Sequence, residues 1–124
     1  MSVGPKEWFI KAEADHASAH WEMRAPHINF NAVVFHAQQC IEKILKGLLI
    51  AAGAAFERTH ELNVLAHQVH ASHPAWVWDA ADLATLQPGA VLLRYPGYDA
   101  TQQDAQHAIE ACDRLRMSLL PFIR

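Results

Sequence analysis

Apolar positions recur at three- and four-residue steps along most of this chain, and the clearest run is Phe30 to Ala52, FNAVVFHAQQCIEKILKGLLIAA. At that spacing Val33, Val34, Ala37, Cys40, Ile41, Ile44, Leu45 and Leu48 stack on one side of a helix. Gln38, Gln39, Glu42, Lys43 and Lys46 fall on the opposite side. Asn29 is the expected N-cap and Gly53 the C-terminal stop. A stripe this wide requires other helices to cover it.

The flanking segments supply them. Pro5 suits the first turn of a helix, where its missing N–H costs nothing, and Glu7 adds a favourable acid there. Trp8, Phe9, Ala12, Ala19 and Met23 form that helix's stripe, which ends before Pro26. Thr59 reads as the N-cap of a third helix that buries Leu62, Leu65, Ala66 and Val69 and closes at Pro74. Ala75 to Leu86 predicts a fourth, although Trp76, Val77 and Trp78 in succession blur its period. Gln87-Pro88-Gly89 breaks it. AVLLRYPGYD reads either as a helical turn or as a short extended piece; Val91, Leu92 and Leu93 have no partner strand. Thr101 and Asp104 have the spacing of a capping box. They open a last helix with Ala105, Ala108, Ile109, Cys112, Leu115 and Leu119 on its stripe. The pattern predicts an all-α fold, an up-and-down bundle of four to five helices in one domain over residues 1–124.

Composition narrows the setting. At 124 residues and 52% hydrophobic, the chain can build a core without metal or disulfide. Cys40 and Cys112 both fall at apolar helix positions, as buried free thiols in a reducing compartment do. The opening MSVGPKEWFIKAEAD has acids where a signal peptide needs an apolar run, and no stretch has the length of a membrane span. A cytoplasmic location is expected. The net charge of −3 argues against tight, nonspecific polyanion binding.

Candidate chemistry is sparse. His60-Glu61 lacks the second histidine of a zinc-protease helix, since position 64 is Val. His16 and His20 stand one turn apart, as do His67 and His70, with His73 close behind. Such pairs bind transition metals, but no thiolate or carboxylate completes a site in the sequence, so no metal site and no cofactor are expected. Cys40 with His36 resembles a nucleophile and base only in spacing, because Cys40 is a core position. Residues two apart on a helix diverge by about 200°, so Trp76 and Trp78 cannot both face one core. At least one is expected at the surface. With Phe35, which lies near the polar side of its helix, they are the candidates for a dimer interface.

FHAQQCIEKILKGLL, THELNVLA and LLRYPGYDAT, in that order, resemble the HEPN domain family, whose compact prokaryotic members show FHAQQAAEKALKALL, TH-x-L and RYP. The resemblance spans nearly the whole chain and implies a bundle of four or five helices and a homodimer. Many HEPN proteins are ribonuclease toxins with a His four to six residues after an Arg. This chain departs from that pattern: Arg24 reaches His27 too soon, Arg58 is too near His60 and too far from His67, and Arg94 is too far from His107. The resemblance therefore implies a non-catalytic binding module. Its partner would be a small nucleotidyltransferase in a toxin–antitoxin-like pair, with nucleotide or RNA as a further ligand. The residues matching the family wording that suit such a surface are His36, Gln39, Glu42, Lys43, Lys46, Thr59, His60, Arg94 and Tyr95. The alternative is a metal-independent ribonuclease that brings Arg94 or Arg58 to His60 or His36 at a nonstandard spacing.

Overall fold

The computed structural model describes residues 3–92 and 95–123, and these form an all-α bundle with no strand among them. Five helices follow in order: α1 (Pro5–Glu22), α2 (Phe30–Ala51), α3 (Leu62–Ser72), α4 (Ala80–Leu86) and α5 (Gln102–Leu119). Short 3₁₀ turns, Gln87–Ala90 and Leu120–Phe122, follow α4 and α5. No helix among the described residues is long and apolar enough to cross a membrane.

Local chemistry sets most boundaries. Pro5 stands in the first turn of α1. Asn29 caps α2 by accepting from the Ala32 N–H at 3.0 Å, while Glu22 at the end of α1 accepts from the Asn29 N–H at 2.9 Å. One residue thus fixes both the turn and the helix that follows. Gly53 takes φ +71°, the left-handed geometry that ends α2 without a Cβ penalty. At α5, Thr101 accepts from the Asp104 N–H at 3.1 Å and Asp104 accepts from the Thr101 N–H at 2.9 Å, a complete capping box.

Helix α3 starts later than its sequence suggests. Thr59 does not cap it; its hydroxyl accepts from the Glu61 N–H at 3.0 Å within the preceding loop. The free Leu62 N–H is satisfied from across the molecule, by Gln87 Oε1 at 2.8 Å. The same Gln87 side chain donates to the His60 carbonyl at 3.0 Å. The turn after α4 therefore caps the helix before it.

The tryptophans are also corrected. Residues 76–79 are not helical, and α4 begins only at Ala80. In an extended segment, side chains two apart share a side. Trp76 and Trp78 accordingly stack with ring centroids 4.2 Å apart. Trp76 is 1% exposed and donates its indole N–H to Ser118 at 3.0 Å, and Trp78 lies half-buried between His67 and His70. The residue left outside is Val77, 80% exposed. Trp76 belongs to the core and Trp78 stacks on its ring, so the extended segment brings together two side chains that a helix would have parted.

Helix α2 is the axis of the fold, packed against α1, α3, α5 and the 3₁₀ turn after α4. Its supposed polar side is covered too: Gln38, Gln39, Glu42 and Lys46 are buried along with its apolar residues. Two glycines stand at close approaches. A Cβ on Gly89 would lie 2.5 Å from the Val34 carbonyl oxygen, and one on Gly47 would lie 2.5 Å from the Phe9 ring. Cys40 and Cys112 are buried free thiols. The hydrogen bond with Cys40, and burial, raise the Cys112 thiol well above its usual range.

Candidate functional site

Two polar constellations lie on the central helix, each built around a carboxylate that holds an imidazole. The first is the buried side of α2 that covering elements enclose. Glu42 receives the Gln38 amide at 3.0 Å and His60 Nδ1 at 2.9 Å on one oxygen, and Lys46 Nζ at 3.1 Å on the other. Gln39 donates to Gln38 at 2.7 Å and completes the chain. Burial opposes the Glu42 charge, but the hydrogen bonds from Gln38 and His60 and the Lys46 ammonium outweigh it, so its pKa is lowered. Lys46 also lies over the rings of Phe56 and Trp8, at 5.3 and 5.9 Å from their centroids. Glu42 with Lys46 is therefore no solvated one-turn pair; it anchors a network that spans α2 and the loop before α3.

The second constellation joins α1 to α2. Asp15 accepts from Lys43 Nζ at 2.6 Å and lies 2.8 Å from His36 Nδ1. Bonding at Nδ1 fixes the ring and leaves Nε2 for other partners. His36 lines an open groove along α1 with His16, His20, Trp21 and Arg24. Trp21 is 72% exposed, and the Arg24 guanidinium carbon stands 5.6 Å from its ring centroid. Across the groove's edge, His16 Nε2 and His20 Nε2 each lie 2.9 Å from the same Asp113 oxygen on α5. Burial works against the Asp113 charge, yet the bonds from His20 and His16 prevail and lower its pKa.

The residues singled out from sequence divide accordingly. Gln39, Glu42, Lys46 and His60 belong to the buried network, with only His60 reaching the surface. His36 and Lys43 belong to the groove side, held by Asp15. Phe35 is half-buried with its ring edge-on to His36. Arg58 and Tyr95 are exposed and enter neither constellation. Arg94 lies outside the described residues.

Sequence reasoning missed Asp15, Trp21 and Asp113. Asp15 left a trace, since it falls three residues after Ala12 and four before Ala19, on the buried stripe of α1. An acid there needs a buried partner. Asp113 left none, because its histidines are 97 and 93 residues away.

Similarity to known proteins agrees with this architecture. None of the proteins with curated descriptions matches the chain. The crystal structure of an archaeal HEPN homologue matches with a TM-score of 0.63 at 23% identity, over 98% of this chain and 100% of that one. That likeness supports the fold. The family model for the HEPN domain matches residues 5–120. The chain therefore belongs to the HEPN domain family.

Proposed function

We propose that this HEPN-family chain is a helical binding module that takes a nucleotide or a short RNA in the groove along α1. It works as a homodimer beside a small nucleotidyltransferase in a toxin–antitoxin-like pair. The observation that carries the ligand is the exposed Trp21 ring with Arg24 beside it and three histidines in the same groove. An exposed indole stacks on any base, and a neighbouring guanidinium binds phosphate. The acidic balance of the chain suits a local site better than a broad polyanion surface. Family membership is what supports the partner and the dimer.

Titrating the protein with nucleotides and short RNAs, read by tryptophan fluorescence and repeated with Trp21→Ala, tests the ligand. Saturable quenching lost in the variant supports the groove; equal binding by both proteins rejects it. Co-expression with any small nucleotidyltransferase encoded beside the gene, followed by size exclusion with light scattering, tests the assembly. A monomer that ignores the enzyme rejects that half of the reading.

The Asp15–His36 pair favours a second reading, a metal-independent ribonuclease. A carboxylate on Nδ1 leaves Nε2 able to take a proton from a ribose hydroxyl, with Arg24 near a phosphate. RNA cleavage in the presence of chelator, abolished by His36→Ala in a folded protein, would establish it. Loss with His60→Ala or Arg58→Ala instead would place the chemistry on the loop between α2 and α3.

A further inference from the structure

Three metal-ligating side chains converge where α1 meets α5. His16 and His20 lie one turn apart on α1, their rings 4.6 Å apart, and both direct Nε2 to Asp113 Oδ1 at 2.9 Å. One ligand atom from each of the three falls within 4.8 Å of the others. We infer that His16, His20 and Asp113 form a binding site for a divalent transition ion of the zinc class, bridging the two helices.

The two rings would have to tilt about the carboxylate to bring all three donor atoms, now within 4.8 Å of one another, onto one ion. Around a tetrahedral ion with bonds of about 2.0–2.1 Å, donor atoms stand roughly 3.3 Å apart. Each Nε2–Oδ1 separation would open by a few tenths of an ångström as the ion enters between them. Two imidazoles and one carboxylate are a donor set that zinc, cobalt and nickel accept, whereas magnesium and calcium prefer all-oxygen sites. The scaffold is braced beside the site. Glu13 and Arg116 pair bidentately at 2.9 and 2.8 Å, three residues before His16 and three after Asp113. That clamp sets the register of α1 against α5 before any ion arrives.

Binding is a substitution. Each ring now presents Nε2 to Asp113 through a shared hydrogen; to ligate, a neutral ring carries its proton on Nδ1 and gives the Nε2 lone pair to the ion. Three protein donors leave the fourth position to water or to a ligand lying in the groove, where His16 and His20 already stand. The ion requires neither nucleotide nor partner, so the inference stands apart from the function proposed above.

The test uses the untagged chain, stripped with chelator and titrated with zinc by calorimetry and with cobalt by visible absorption. One ion per chain is expected, with the d–d bands of a low-coordinate cobalt site. Imidazole NMR signals of His16 and His20 should move in the wild-type protein while those of His67 and His70 stay. His20→Ala and Asp113→Asn should each weaken binding by more than about tenfold, and His67→Ala should leave it unchanged. Absence of saturable uptake overturns the inference. So does uptake that moves the signals of His67 or His70 instead, a result that needs no folded variant. Absence of RNA binding by the wild-type protein with zinc uptake intact would reject the groove's ligand and leave the metal site standing.

Discussion

Glu42 Oε1 stands 2.9 Å from His60 Nδ1, so a carboxylate in the middle of α2 holds the loop that leads into α3. The same carboxylate carries Lys46 and Gln38. Truncating it as Glu42→Ala leaves the Lys46 ammonium buried without its counter-charge. Breaking a buried pair costs about 3–5 kcal/mol, and the lower end applies here because His60 can turn to water. Urea unfolding of wild type and variant measures the difference.

Acid should find the same residue. The folded-state pKa of Glu42 lies below its usual 4.5, so its stabilising contribution is complete above the unfolded-state value and is lost as pH falls through the lowered one. Melting temperature followed from pH 7 downward should therefore drop more steeply in wild type than in Glu42→Gln, which has no proton to gain. Parallel acid limbs would show that other carboxylates carry the transition.

Gly89 and Gly47 make a paired experiment. Gly89→Ala drives a methyl against the Val34 carbonyl, a backbone atom that cannot move alone. Gly47→Ala meets only the Phe9 ring and gains helix propensity of about 1 kcal/mol. Overpacking of the first kind costs roughly 1–3 kcal/mol. The expected order by denaturation is a clear loss for Gly89→Ala and a smaller change for Gly47→Ala.

Trp78→Ala should weaken the fold while leaving the assembly state alone. Trp78 covers Trp76, whose indole is tied to Ser118 on α5. Stacked aromatic pairs contribute about 0.5–1.5 kcal/mol beyond the area they bury. Unchanged elution at matched concentrations, with a lowered melting temperature, is the expected pair of results.

If the groove binds nucleotide or RNA, Trp21→Ala should weaken it by the worth of one stacked base, about 1–3 kcal/mol. That is a roughly 5- to 150-fold rise in Kd. Trp21 is largely exposed, so stability should barely change, which separates this variant from Trp78→Ala.

Signals confined to neighbouring residues were legible in the chain. Asn29, Pro5 and the Thr101–Asp104 pair marked their helix starts because a cap satisfies backbone groups within its own turn. Thr59 misled because the donor at the start of α3 is satisfied by Gln87, 25 residues away. Gln39, Glu42 and Lys46 read as solvated because a helix pattern shows which side is polar, not what lies over it. Here the loop carrying Phe56 and His60, together with Trp8 of α1, lies over Glu42 and Lys46. Trp76 and Trp78 misled for another reason: their geometry follows from an extended segment, where the period is two rather than 3.6. The groove was the least visible part, since Asp15 meets His36 and Asp113 meets His16 and His20 only after the helices pack.

The two thiols give the protein a built-in gauge of its own opening. Cys40 on α2 and Cys112 on α5 are both buried inside the core, and no alkylating reagent reaches either while α5 stays seated. Labelling must wait for that helix to lift, because both thiols are buried while it is packed. The lag before alkylation thus times the departure of one helix, and any ligand that clamps α1 to α5 should lengthen it.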